Sequence, residues 1–135
     1  MNYSKSYNRK TENKPNLNKV DPDFIEGIAK VLDYGDNKYG EGNWRQYSNI
    51  NELVSAQMRH IDKFRVGEQF DIESTLQHLD HAASNLMMIR WLLKNKVIKI
   101  EDLHFNKIKT NTHVMDYCLS KNLNQDNREI NNDQT

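Results

Sequence analysis

Residues 72–95 read IESTLQHLDHAASNLMMIRWLLKN. Ile72, Leu76, Leu79, Ala83, Leu86 and Leu93 recur in alternating steps of three and four, closing with a step of seven across Arg90. That period belongs to a helix with a packing seam and not to a strand. Asp71 stands in front of it as a candidate N-cap. No alternating pattern of comparable length occurs elsewhere in the chain. The expected fold is therefore all-α.

Upstream, Leu53, Val54, Met58, Ile61 and Phe64 mark a second helix over roughly 50–66. Asn49 followed by Glu52 has the spacing of a capping box, and Gly67 breaks the helix. Only a short connection separates 66 from 72, so the two helices must return antiparallel as a hairpin. Asp21-Pro22 opens an earlier helix, with Asp as N-cap and Pro at the first helical position. Phe24, Ile25, Ile28, Ala29, Val31 and Leu32 give it one wide apolar face. Gly35 and Gly40 loosen its end, and GDNKYGEGNWRQYSN (35–49) reads as a glycine-punctuated connection. Residues 97–118 carry apolar pairs suited to one or two short helices.

The expected layout is a flexible segment at 1–20, a single α-helical domain at 21–118, and a polar disordered tail at 119–135. The chain has 135 residues, 36% of them hydrophobic, and a mean hydropathy of -0.93. The apolar residues concentrate between Phe24 and Ile108. So small a helical bundle is expected to complete its core as a homo-oligomer.

Nineteen basic side chains balance nineteen acidic ones. A broad nucleic-acid surface needs a basic excess, so nucleic acid is not an expected partner. Lys5, Arg9, Lys10, Lys14 and Lys19 make the N-terminal segment locally basic, which reads as a solvated tail. Cys118 is the sole cysteine, so a disulfide framework is excluded and a reducing cytoplasm is expected. The first twenty residues hold no apolar run of the signal-peptide kind, and no segment has the length of a membrane span. Frequent Asn, Lys and Ile suggest an AT-rich genome, as many phages have.

Chemistry concentrates in one polar cluster. His78, His81 and Asn85 fall within an arc of about 60° at about 100° per residue. Further along, the same side turns apolar through Met88, Ile89 and Leu92. The hairpin brings Arg59, His60 and Lys63 opposite the first two turns of the third helix, with Glu68 and Asp71 beside them in the connection. Carboxylates with imidazoles suit a divalent ion: oxygen ligands favour Mg²⁺ or Mn²⁺, and histidines tilt the choice toward Mn²⁺ or Zn²⁺. Arg59, with Lys38 or Lys63, suits phosphate oxygens. Asn85 suits a base edge or a sugar hydroxyl. Together they describe a phosphorylated small molecule, most simply a nucleotide.

Each residue also has a plainer role. Asp71 alone is an N-cap, Glu68 a solvated loop acid, and a lone inward histidine a hydrogen-bonded core residue. Tyr39 and Trp44 suit the role of core anchors more readily than that of base-stacking platforms. Asp80 and Glu73 point elsewhere on the helical wheel, toward solvent. Convergence on one mouth, and no single residue, carries the functional argument. A Walker A loop, a Rossmann glycine fingerprint, a His-Asp doublet and a GxSxG elbow are all absent from the sequence.

YGDNKYGEGNW (34–44), Arg59-His60, GEQFDIES (67–74) and HLDHAASN (78–85) resemble the N-terminal domain of a phage and prophage family, dATP/dGTP diphosphohydrolase-like. The resemblance covers about 24–94. It implies an α-helical nucleotide-handling protein, loosely akin to all-α NTP pyrophosphohydrolases. Carried over position by position, it points to Lys38, Arg59, His60, Glu68, Asp71, His78, His81 and Asn85. Gln69 stands where the family commonly has an acid, Ile72 where Pro is common, Thr75 where Gly is common, and Asp80 where Ala is common. The paired ExxE and ExxD motifs of the pyrophosphohydrolases are missing, and only Glu68 and Asp71 have comparable spacing.

Two functions follow as expectations. In the first, the protein is a metal-dependent diphosphohydrolase releasing pyrophosphate from a purine dNTP. Glu68, Asp71 and His78 hold Mg²⁺ or Mn²⁺, and His81 or His60 orients or deprotonates the water. Arg59 and Lys38 stabilise phosphate charge, and Asn85 positions sugar or base, with Tyr39 and Trp44 as the aromatic wall. In the second, the protein cleaves nothing and sequesters a nucleotide immune signal as a counter-defence device. A structural helical protein with a buried polar network is the remaining alternative.

Overall fold

The computed structural model describes residues 13–104 and 118–122. Most of the two terminal segments expected to be flexible, and the segment 105–117, lie outside the described residues. Among the described residues, 20–104 belong to one compact unit. The other described residues carry a 3-10 turn at Leu17–Lys19 and a helical turn at 118–122.

Three helices build the unit: α1 (Pro22–Tyr39), α2 (Ile50–Arg65) and α3 (His78–Lys94). The fold is all-α, a small bundle, with no strand among the described residues. Asp21 caps α1 as its sequence predicts, its carboxylate accepting from the Phe24 N–H at 3.0 Å. Asn49 caps α2 in the same way, accepting from the Glu52 N–H at 3.2 Å. α1 does not loosen at Gly35. It continues to Tyr39 and stops at Gly40, whose φ of 101° lies outside the helical region. Much of the expected connection is therefore helical, and a 3-10 turn at Asn43–Gln46 fills part of the rest.

The expected start of the third helix is corrected by six residues. Ile72 to Gln77 are not helical, although their apolar spacing suits a helix. Residues 69–78 instead close on themselves: the Asp71 N–H donates to Leu76 O at 2.8 Å, and the His78 N–H donates to Gln69 O at 3.0 Å. Asp71 caps a turn, not a helix, and Ile72 is 90% exposed. Local hydrogen bonding by an Asx-type turn has won over periodicity.

The seam on α3 is corrected too. Leu86 is exposed, and the buried positions are His78, Ala82, Ser84 and Leu92. The reason is architectural. α3 packs against α2 on one flank and α1 on another, while α1 and α2 barely meet. Two buried flanks cannot be described by one seam. Against α2, Leu92 joins Ile50, Leu53 and Ile98 in the apolar core. Leu92 is fully buried, which is worth about 1.5–3 kcal/mol for such a side chain. Against α1 the contact is close and made by small groups: Gly27 lies under the Asp80 carboxylate, and Ser84 Oγ donates to Ile28 O at 3.4 Å. Asp80 is thus partly buried at a helix contact, not turned to solvent.

After α3 the chain turns back onto α2. Asn51 holds it from both sides, donating to Asp102 O at 2.9 Å and accepting from the His104 N–H at 2.7 Å. Of the short helices expected over 97–118, the described residues show one 3-10 turn, Ile100–Asp102, and the start of a helical turn at 118.

Candidate functional site

The hairpin of α2 and α3 brings three imidazoles together. His60 Nδ1 and His78 Nδ1 are 2.9 Å apart. His60 also stacks on His81, with centroids 4.4 Å apart and planes 5° from parallel. His60 is on the next-to-last turn of α2, and His78 and His81 on the first turn of α3, so the antiparallel return is what joins them.

Asp71 and Ser74 anchor the group from the turn before α3. Asp71 Oδ2 accepts from the Ser74 N–H at 2.9 Å and from the Ser74 hydroxyl at 2.8 Å. Because that hydroxyl donates to Asp71, its oxygen is left to accept from His81 Nε2, 2.7 Å away. The network assigns His81 the Nε2–H tautomer, with Nδ1 as the acceptor nitrogen. Ser74 is a site residue that sequence reasoning passed over. The Asp-x-x-Ser spacing inside GEQFDIES was the available signal.

Electrostatics keep this group short of protons. Burial, then the neighbouring His81 and His78, lowers the His60 pKa to about 4. Burial likewise lowers His81, with Asp71 opposing. For Asp71, burial pushes the carboxyl up, but the two Ser74 donors and His81 more than compensate and hold it below its ordinary value. At neutral pH His60 and His81 are thus neutral imidazoles beside the Asp71 carboxylate.

Glu68 lies at the rim. Its Oε2 is 3.7 Å from His78 Nε2 and 3.5 Å from Lys63 Nζ. His78 is fully buried, and its Nε2 has no hydrogen-bond partner. His60, Asp71 and His78 can offer ligand atoms that all lie within 4.8 Å of one another. The residues that come together to suit an ion therefore include His60, whereas the sequence suggested Glu68 with Asp71 and His78.

Lys38 comes from the last turn of α1. It pairs with Glu73 at 2.5 Å, and the Tyr34 hydroxyl donates to the same carboxylate oxygen at 2.9 Å. Those two donors hold Glu73 below the usual carboxylate range. Glu73 is exposed, as expected, and is also the tie between α1 and the turn before α3. Lys38 Nζ also lies 5.4 Å from the Tyr39 ring centroid, and Tyr39 is otherwise exposed.

Arg59 is not brought to the imidazoles. It runs back along α2, donating to Ser55 Oγ and Glu52 Oε1, each at 2.8 Å. Asn85 is half-buried one turn beyond His81 and, among the described residues, makes none of the cluster's hydrogen bonds. Trp44 packs edge-on against Trp91 at 5.2 Å, with Arg45 over both rings. Since Trp91 lies near the far end of α3, Trp44 anchors the 3-10 turn there and not at the cluster.

The family model for dATP/dGTP diphosphohydrolase, N-terminal, matches residues 4–102. The chain belongs to this family. The family domain therefore takes in all three helices and every residue of the cluster. A dATP/dGTP diphosphohydrolase of Salmonella phage PMBT28 is 42% identical over 85 residues, which is 63% of this chain and 29% of the relative. This member of the dATP/dGTP diphosphohydrolase N-terminal family thus spans less than a third of the phage protein it matches. No solved structure matches the chain. Among the described residues no helix is long and apolar enough to cross a membrane.

Proposed function

We propose that the cluster binds a purine deoxynucleoside triphosphate and hydrolyses it to the monophosphate and pyrophosphate. The observation that carries this reading is the relay His81–Ser74–Asp71. It fixes the His81 tautomer and leaves Nδ1 as a base, the arrangement by which a carboxylate-supported imidazole activates a nucleophile. Water attacks the α-phosphorus, and its proton passes to His81 Nδ1. The bond from the α-phosphorus to the bridging oxygen breaks, and pyrophosphate leaves. Membership of the family and the name of the phage relative support the same chemistry.

Lys38 meets the phosphates once it exchanges Glu73 for them. Arg59 joins it only by leaving Glu52. Asn85, one turn further along α3, contacts sugar or base. A divalent ion, when bound, screens the triphosphate charge and draws electron density from phosphorus. Phe24, Ile25, Met58 and Leu86 remain exposed, and they support self-association through apolar helix faces.

Incubating the protein with a dNTP panel, with and without Mn²⁺, tests the reading. Pyrophosphate release that Ser74→Ala lowers and Asp71→Asn abolishes supports hydrolysis. Recovery of an intact nucleotide after heat denaturation supports sequestration instead. That second reading draws on the scarcity of carboxylates, since Asp71 alone is hydrogen-bonded within the cluster.

A further inference from the structure

The geometry points to a seat for one divalent transition-metal ion formed by His60 Nδ1, His78 Nδ1 and a carboxylate oxygen of Asp71, with Glu68 as the outer partner of His78. The site rests on the nucleotide reading only for its use, because the ion is bound or not bound whether or not a nucleotide is present.

Spacing is the first argument. Metal–ligand bonds of about 2.0–2.2 Å place neighbouring ligand atoms about 3 Å apart. The two Nδ1 atoms are 2.9 Å apart, and His60, Asp71 and His78 can each offer a ligand atom within 4.8 Å of the others. One ion between the imidazoles, met by a small swing of Asp71, satisfies all three.

The tautomers supply the second argument. If His78 carried its proton on Nδ1, its Nε2 lone pair would be buried against the Glu68 carboxylate, lone pair facing lone pair. With the proton on Nε2, that N–H faces Glu68 Oε2, 3.7 Å away. The His78 Nδ1 lone pair then points at His60. His78 is fully buried and its Nε2 otherwise has no partner, so this side chain is held in place without satisfying its own polar atom. A metal on Nδ1 polarises the Nε2–H and draws Glu68 in, the carboxylate–histidine–metal arrangement.

Ligand type is the third. Two imidazole nitrogens and one carboxylate suit Mn²⁺, Co²⁺ or Zn²⁺, whereas Mg²⁺ takes oxygen ligands. Three ligands on one side leave the other side of the ion for water or phosphate oxygens. Of the two ions the sequence suggested, this ligand set therefore favours Mn²⁺.

The test uses the full chain, free of tag, stripped with EDTA, and titrated with CoCl₂ alone. Expected are one Co²⁺ per chain and a visible ligand-field band. Stoichiometric Zn²⁺ removes the band and a large excess of Mg²⁺ does not. His60→Phe keeps the stacked ring but removes a ligand, and Asp71→Asn weakens another; each lowers Co²⁺ affinity tenfold or more. Glu68→Gln lowers it about tenfold through His78. Circular dichroism of each variant checks the fold. His78→Ala is avoided because that ring is wholly buried. No band with the native chain, or undiminished affinity in folded His60→Phe, overturns the proposal. Intact Co²⁺ binding with neither turnover nor retention of nucleotide keeps the seat and sinks the nucleotide reading.

Discussion

His60 of α2 and His81 of α3 lie face to face, with ring planes 5° from parallel. Burial first, and then the neighbouring His81 and His78, selects the neutral form of His60. The His60 pKa falls from 6.5 in the free side chain to about 4. Between those values the unfolded chain takes up a proton that the folded chain refuses. Stability is therefore full above about pH 6.5 and is lost as the pH falls toward 4. His81, also lowered, acts in the same direction. Urea unfolding in EDTA at pH 7.5 and pH 5 should show the loss, and His60→Phe should make it smaller. An unchanged difference between the two pH values would place the titration elsewhere.

Ser74→Ala removes the hydroxyl that both caps Asp71 and holds His81. The expected loss of stability is about 1–3 kcal/mol, from the hydrogen bonds to Asp71, His81 and the Leu76 N–H in a partly buried site. Pyrophosphate release, where measured, should fall about tenfold or more, because His81 loses its fixed tautomer. Thermal denaturation and a phosphate-coupled assay separate the two effects.

Gly27 and Asp80 are coupled by contact. A Cβ at Gly27 would fall on the Asp80 carboxylate, so Gly27→Ala alone should destabilise by about 1–3 kcal/mol. In an Asp80→Ala background the clash is gone. Alanine's better helix propensity, about 1 kcal/mol, should then make the same substitution neutral or stabilising. A double-mutant cycle with no such reversal would mean that the helices do not meet here.

Thr75 sits at φ 63°, a left-handed conformation that a β-branched residue adopts only under strain. Thr75→Gly should stabilise by about 1 kcal/mol, offset in part by the freer unfolded chain. The shift in melting temperature decides it.

Glu73 holds Lys38 where a phosphate would have to. Glu73→Gln should loosen that pair and tighten nucleotide binding several-fold at low salt, while Lys38→Gln weakens it. Calorimetric titration with a non-hydrolysable dNTP analogue reads both. Equal affinities in all three proteins would remove Lys38 from the site.

The sequence was a good guide wherever local chemistry and fold agree. Asp21-Pro22, Asn49 and Gly67 marked real boundaries because caps and breakers act within one turn. It misled at 72–77, where Ile72 and Leu76 kept helical spacing while Asp71, Ser74 and Thr75 closed a turn. Thr75, standing where Gly is common, was the sign that a left-handed residue was needed. Within the site, helix phase grouped His78 with His81, and the antiparallel hairpin with its short connection added His60 and Asp71. Ser74 and the Glu73 tie could not be read from phase, because both lie in the turn that periodicity had assigned to a helix. Arg59 shows a different limit: a long side chain is steered by partners on its own helix, and Glu52 and Ser55 hold it back.

Because α1 and α2 each rest on α3 but barely touch one another, the two sides of the mouth are built on independent supports. His60 stands on the support that shares the Ile50–Leu53–Leu92–Ile98 core. Lys38 and Tyr34 stand on the other, which meets α3 through the small contacts of Gly27 and Ser84. Tilting α1 changes the gap between cation and imidazoles without disturbing that core. The molecule is in this respect a caliper with one fixed jaw, and the Glu73 tie is the stop that sets its resting width.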